Sequence, residues 1–195
     1  QIVLGAAAGP GARNLAGIWN RYGGLLTLLA NRLQIDPTIA VAVLAVESGG
    51  AAFGADGRMI IRFENHLFYS DWGKQHQEQF FQHFDFNRAT KDAWLNHRWR
   101  PTPQEPFLTM HEAGAQALEW RVLNFAAGLD DTAAKRSISM GAPQILGRNH
   151  QRIGYTTVQA MFNAFMANER AHILGLFDFI RTDATLVDAL RRKAY

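Results

Sequence analysis

Glu47 is the most isolated charge in the sequence. Between Asp36 and Asp56 it is the only ionisable side chain, and it follows directly on TIAVAVLAV (residues 38–46), an apolar run. Apolar surroundings and the negative end of a helix dipole both disfavour a carboxylate, so the sequence predicts a carboxyl disposed to carry a proton. Such an acid is what glycoside cleavage requires to protonate the leaving oxygen. The same residue also fits a structural part, accepting from the backbone N–H groups of Gly49 and Gly50. Glu64 is the second candidate, seventeen residues on. Opposed to the helix end across a small sheet, it would complete a pair of carboxyls flanking a sugar. It equally suits a cap for the turn that follows, or a partner for Arg62 or Arg58.

The segment SISMGAPQILG (residues 137–147) adds a third element. Gly141 and Ala142 are small enough for a ligand to approach the backbone, and Gln144 can donate to and accept from hydroxyls or acetamides. A tight interhelical turn accounts for the same residues.

Other chemistries lack their residues. With no cysteine, disulfide scaffolds, zinc ribbons, thiol nucleophiles and redox pairs are excluded. The seven histidines do not form a His-Glu-x-x-His helix site, and His111-Glu112 has no partner at that offset. Glu47-Ser48-Gly49-Gly50 is not a nucleophile elbow, and Gly9-Pro10-Gly11 lacks the lysine and spacing of a phosphate loop. Arg98-Trp99-Arg100 is the one triplet suited to stacking on a nucleic acid, and it also fits a solvated loop. No metal or organic cofactor is called for.

The elements that must position these residues read as mostly helical. Apolar residues recur at three- and four-residue steps from Asn14 to Leu33, with Gly23-Gly24 as a place for a kink or a close neighbour. Asp36-Pro37 is a helix start, and the all-round apolar helix after it belongs inside the core until Gly49-Gly50 stops it. Residues 51–55 and 58–63, joined by Asp56-Gly57, predict a hairpin whose second strand ends at Glu64, followed by a helical turn to Tyr69. Residues 71–106 are aromatic and irregular. Helices are expected at about 112–127 and 130–136, a loop at 137–147, one long helix from Val158 to Ile180, and a last one near 186–192. Residues 1–13 read as a flexible lead-in and 14–195 as a single domain.

The 195 residues suffice for one compact core, and 48% hydrophobic against 19% charged residues is a globular balance. The formal charge is +3, carried mainly by sixteen arginines and without a like-charged block. It permits, without requiring, a polyanionic partner. No run of eighteen apolar residues predicts a spanning helix. The apolar start is too short and lacks the basic flank of a secretory signal, while a first residue Gln1 points to a removed leader or upstream module.

Three stretches, taken in order, resemble the N-acetylmuramidase family of bacterial and phage lysins. They are Ala45-Val46-Glu47-Ser48-Gly49-Gly50; Asp56-Gly57-Arg58 with Ile61-Arg62-Phe63-Glu64-Asn65-His66; and Ser139-Met140-Gly141-Ala142-Pro143-Gln144-Ile145-Leu146-Gly147. The resemblance runs from about Leu15 to the C-terminus. It implies an α+β, mostly helical, lysozyme-like fold with a small hairpin beside a cleft. It also implies cleavage of the β-1,4 bond between N-acetylmuramic acid and N-acetylglucosamine. Glu47 would be the general acid, and Glu64 a base, nucleophile or ground-state organiser. Gln144 would line the cleft, with Ser139, Gly141, Tyr155, Asn65 and His66 as binding neighbours. The implied partner is the peptidoglycan glycan strand, met at the cell wall by a monomer that needs no metal, nucleic acid or membrane insertion. Two alternatives stay open: a lytic transglycosylase using the same acid, and a silent wall-binding module of a phage or secretion particle. One departure is the end at Tyr195, where the family continues into a Tyr-Asn-Gly segment; it predicts a trimmed cleft wall on an unchanged fold.

Overall fold

The structure is a computed structural model that describes residues 1–89, 91–112 and 114–193. The chain end at Ala194 and Tyr195, with the expected trimming there, lies outside the described residues, as does Ala113 of the expected helix 112–127.

Two helices open the chain. α1 (Pro10–Leu33) starts four residues before Asn14 and runs without interruption past Gly23-Gly24. α2 (Pro37–Ser48) starts as expected, with the Asp36 side chain accepting from the Thr38 N–H and proline in the first turn. Gly49 then adopts the left-handed conformation, and Gly49 and Gly50 donate to the carbonyls of Ala45 and Leu44. At Gly50 a Cβ would lie 2.3 Å from Ile18 Cγ1, so glycine alone lets the chain leave α2 flat against α1. α2 is not wrapped by core. Only Ala40, Val41 and Leu44 are buried, and Val46 is 83% exposed. A domain of this size cannot cover every apolar face it makes.

β1 (Ile61–Phe63) leads into α3 (Asn65–Asp71). The expected hairpin around Asp56-Gly57 is reduced to one bridge, Phe53 to Met59, and β1 pairs instead with β5 (Ile138–Met140). The expected loop 137–147 is itself a hairpin, β5 turning back through residues 141–144 into β6 (Ile145–Leu146). The first antiparallel sheet therefore has the order β1-β5-β6. Within the aromatic stretch lie a 3-10 turn (Gly73–Gln75) and α4 (Gln77–His83), followed by β2 (Phe84–Asp85) and β3 (Arg98–Trp99). With β4 (Leu108–Thr109) the two strands form a second sheet, β2-β3-β4. Its aromatics are core residues for the most part: Phe80 and Phe84 are fully buried, and so, nearly, is Trp99. Arg98-Trp99-Arg100 consequently offers no open ring for a base to stack on.

α5 (Gln116–Leu129) and α6 (Asp131–Arg136) follow, the latter capped by Asp130. A second 3-10 turn (Gly147–Asn149) leads from β6 toward the C-terminal helices. The single long helix expected from Val158 is two: α7 (Val158–Ala167) and α8 (Glu169–Arg181), divided at Asn168, whose side chain accepts from the Ala171 N–H and caps α8. α9 (Ala184–Arg191) ends the described chain. Two hydrophobic cores result. Leu26, Leu44 and Ile173 centre the one shared by α1, α2, α8 and α9. Phe63, Phe68, Val122 and Phe165 centre the other, which joins both sheets to α3, α4, α5 and α7. Among the described residues no helix is long and apolar enough to cross a membrane.

Candidate active site

The register of the first sheet lays out the site. Arg62 pairs with Ser139, and Ser139 with Leu146, so these three side chains stand in a row on one face. The opposite face carries Ile61, Met140 and Ile145, all buried in the core. Leu146 at one end of the row lines a groove of about 350 Å³ that also takes in Glu47, Pro143, Gln144 and Asn149. The groove thus runs between the end of α2 and the turn of the β5–β6 hairpin, its far wall closed by apolar residues of α8 and α9.

Glu47 is exposed in this groove. The apolar enclosure read from the sequence is absent, because the last turn of α2 faces outward. The structural part is excluded too, since Gly49 and Gly50 spend their N–H groups on α2 carbonyls. Among the described residues the carboxylate of Glu47 makes no hydrogen bond or ion pair. Facing it, Gln144 is held in a left-handed conformation, and its amide nitrogen donates to the Gly141 carbonyl at 2.8 Å. The turn is fixed from beneath. Gly141 (φ 69°) lies so close to α8 that a Cβ would come within 2.3 Å of His172 Nδ1. His172, fully buried, accepts from the Ala142 N–H and donates to the Phe165 carbonyl. The glycine at 141 therefore makes room for the His172 ring.

Glu64 occupies a different setting. Strand alternation from Arg62 puts it on the same face as the Arg62–Ser139–Leu146 row, but at the opposite end of β1 from Gln144. Gly141 N–H and the Gln144 amide both reach the Ile60 carbonyl, and Ile60 is four residues from Glu64 along extended chain, a span of ~13 Å. Glu64 does not line the Glu47 groove. It is 9% exposed, with Oε1 paired to Arg62 Nε at 3.1 Å and Oε2 buried without a hydrogen-bond partner. Burial pushes its carboxyl up to about 7, opposed by Arg62 and assisted by the Glu119 charge. As a helix cap it is silent, because its side chain makes no bond to α3. Of its weighed partners Arg62 is the real one, and Arg58 pairs with Asp56.

Around Glu64 stand His66, already part of the motif read in sequence, and groups from distant segments that no local motif announces. His66 Nδ1 and His97 Nδ1 each lie 3.6 Å from Oε2, and His111 donates to the Phe63 carbonyl. Desolvation holds His66 and His111 down to about 4 and also lowers His97. Glu119, buried and raised by desolvation, accepts from the Phe63 and His111 N–H groups. The signals available in sequence were local ones, the spacing of Arg62 and Glu64 and the presence of His66 in the same motif, and none of them pointed to His97, His111 or Glu119.

The structure thus brings Glu47 and Gln144 together, with Ser139 in the adjoining row. Asn65 is corrected: it is fully buried, donating to the Asp85 and Arg98 carbonyls and so tying α3 to the second sheet. His66 belongs to the Glu64 cluster and borders a separate cavity of about 460 Å³. Tyr155 packs edge-on against Phe165, outside the groove lining, with its hydroxyl raised by burial and by Asp178.

A helix-end glutamate over a small antiparallel sheet, within a mostly helical chain, defines a lysozyme-like fold. The solved structure of the endolysin of Burkholderia phage AP3 shares it, at a TM-score of 0.65 and 26% identity over 87% of this chain. This chain spans 58% of that protein's length. The N-acetylmuramidase family model matches residues 36–195, and the chain belongs to that family. No curated protein sequence matches.

Proposed function

We propose that the chain hydrolyses peptidoglycan at the β-1,4 bond between N-acetylmuramic acid and N-acetylglucosamine, with Glu47 as the proton donor. The observation that carries this reading is an unpaired carboxyl at the end of α2, facing a positioned amide across a groove. Family membership and the likeness to an endolysin support the substrate class. In this reading Glu47 protonates the glycosidic oxygen as positive charge grows on the muramic acid ring. Gln144, its nitrogen committed to the turn, offers its carbonyl oxygen to a substrate N–H or hydroxyl. Arg62 and Ser139 extend the sheet face along which the strand would lie. The net charge of +3 favours residence on the anionic wall, where the chain would act as a monomer.

The place of Glu64 favours a second reading. An inverting pair stands ~6.5–9.5 Å apart and a retaining pair ~5 Å. Glu64 lies at the opposite end of β1 from the Gln144 turn, outside the Glu47 groove and paired with Arg62, which speaks against its serving as that partner. Glu47 is the only carboxylate among the described residues lining its groove. Chemistry with a single carboxylate is that of a lytic transglycosylase, in which Glu47 would act first as acid and then as base, closing an anhydro ring on the muramic acid.

Mass spectrometry of fragments from purified peptidoglycan tests both. Reducing muramic acid ends identify the hydrolase, and ends lighter by one water the transglycosylase. Glu47→Gln should abolish either product while leaving the thermal midpoint unchanged, as an exposed side chain without partners predicts. Fragments released equally by the variant would refute the role of Glu47. Co-sedimentation with sacculi and no fragments from the wild type would replace both readings with a silent binding module.

A further inference from the structure

The strongest cluster outside the groove is formed by Glu64, His97 and His111. One ligating atom from each lies within 4.8 Å of the others, and Glu64 and His97 are buried. We propose that these three side chains bind a divalent transition ion of the zinc class, which ties β1 to the second sheet. Two imidazoles and one carboxylate are a donor set suited to zinc and its neighbours and poorly suited to magnesium or calcium.

Three observations carry this. First, Glu64 Oε2 is a buried acceptor with no hydrogen-bond partner, although its residue is nine-tenths buried. An unmet acceptor of that kind is costly unless something supplies positive charge. Second, the surrounding atoms already have the orientation seen around bound metals. His97 Nε2 donates to the Ala93 carbonyl at 2.9 Å, leaving Nδ1 turned toward Oε2 at 3.6 Å. His111 is likewise anchored on a backbone carbonyl, that of Phe63. Glu64 Oε1 is held by Arg62, so that Oε2 alone is offered. Backbone carbonyls and charged groups on the outer atoms of ligands are the usual second layer of a metal site. Third, the ligands come from three places in the chain: the end of β1, the residue before β3, and a residue just beyond β4. An ion would close them into one unit, as structural metals do in small lobes.

Binding requires modest motion. Bonds of ~2.0–2.2 Å place tetrahedral ligands ~3.3 Å apart, so the three atoms must draw together by at most about 1.5 Å. The ion would displace the hydrogen bond from the Asn65 N–H to His97 Nδ1, which is already long at 3.3 Å. His66 stays outside this set, its Nδ1 lying 3.3 Å from His97 Nε2 on the side of that ring away from Nδ1. The ion has no part in the chemistry of Glu47, so the proposal stands or falls apart from the catalytic reading.

The test uses the full chain, dialysed against a chelator and then titrated with zinc. Expected are one equivalent bound by elemental analysis and calorimetry, and a rise in Tm on the order of 5 °C at saturating zinc. His111→Ala and Glu64→Gln should each weaken binding at least tenfold. Cobalt in place of zinc should give the intense visible absorption of a four-coordinate site, a readout that fold stability alone does not produce. Should the variants fail to fold, the wild-type stoichiometry and the cobalt spectrum decide. Uptake far below one equivalent, an unshifted Tm, or equal binding by His111→Ala would overturn the proposal.

Discussion

Gly141→Ala probes the support of the groove, and its cost can be worked from the geometry. The residue sits at φ 69°, where an L side chain costs ~1–2 kcal/mol. The added Cβ would also lie 2.3 Å from His172 Nδ1 and 2.5 Å from Cε1. The ring cannot swing aside freely. It is fully buried, and moving it strains both the 3.2 Å bond from Ala142 N–H and the 2.7 Å bond to the Phe165 carbonyl. Leaving one buried polar group unmet costs about 1–3 kcal/mol. Together these predict a loss of about 2–5 kcal/mol. Gly57→Ala provides the internal comparison, since Gly57 has a similar φ of 74° and no atom within 4 Å of the added Cβ. It should lose only ~1–2 kcal/mol. Urea unfolding of both variants, followed by circular dichroism, measures the difference. If the two lose the same stability within about 0.5 kcal/mol, the contact with His172 does not hold the turn, and the account of Gln144 positioning fails with it.

Two further outcomes follow from buried groups. Desolvation lowers the His172 imidazole below the ordinary histidine value, so the unfolded chain takes up a proton there before the folded one does. Its contribution is complete above the unfolded value near 6.5 and is lost as pH falls toward the folded one. His172→Gln should therefore flatten the fall of unfolding free energy between pH 7 and pH 5, and an unchanged slope would count against it. Asn65→Ala removes both amide donors to the Asp85 and Arg98 carbonyls and should cost about 2–3 kcal/mol. A thermal melt indistinguishable from wild type would show that α3 is not pinned to the second sheet.

Much of the helical frame was legible in sequence because its signals are local. Asp36-Pro37 and Gly49-Gly50 bound α2 as read, since capping and a left-handed stop depend on adjacent residues alone. Asn168 carried an equally local signal, a helix-capping side chain within the apolar periodicity that merged α7 with α8. The sheet was less legible. β1 chooses β5, seventy-odd residues away, over the nearer strand, and nothing in either segment states that pairing. The same holds for the site. Glu47 and Gln144 were readable as candidates, whereas the burial of Asn65 and Glu64 comes from elements brought in from elsewhere. The exposure of Glu47 shows the reverse error: an apolar run does not guarantee enclosure, and α2 shows only one face to the core.

The pairing of β1 with β5 makes the whole stretch from α3 to α6 one closed excursion from the groove. The entropy of closing such a loop grows only with the logarithm of its length, so twenty added residues would cost a few tenths of a kcal/mol. The two strands that meet at its base carry the Arg62–Ser139 pair and would keep their register. Relatives can therefore vary in the size of this excursion at little thermodynamic expense, while the sheet face beneath the groove stays fixed. Diversity among such chains is expected to collect in the excursion and to spare its base.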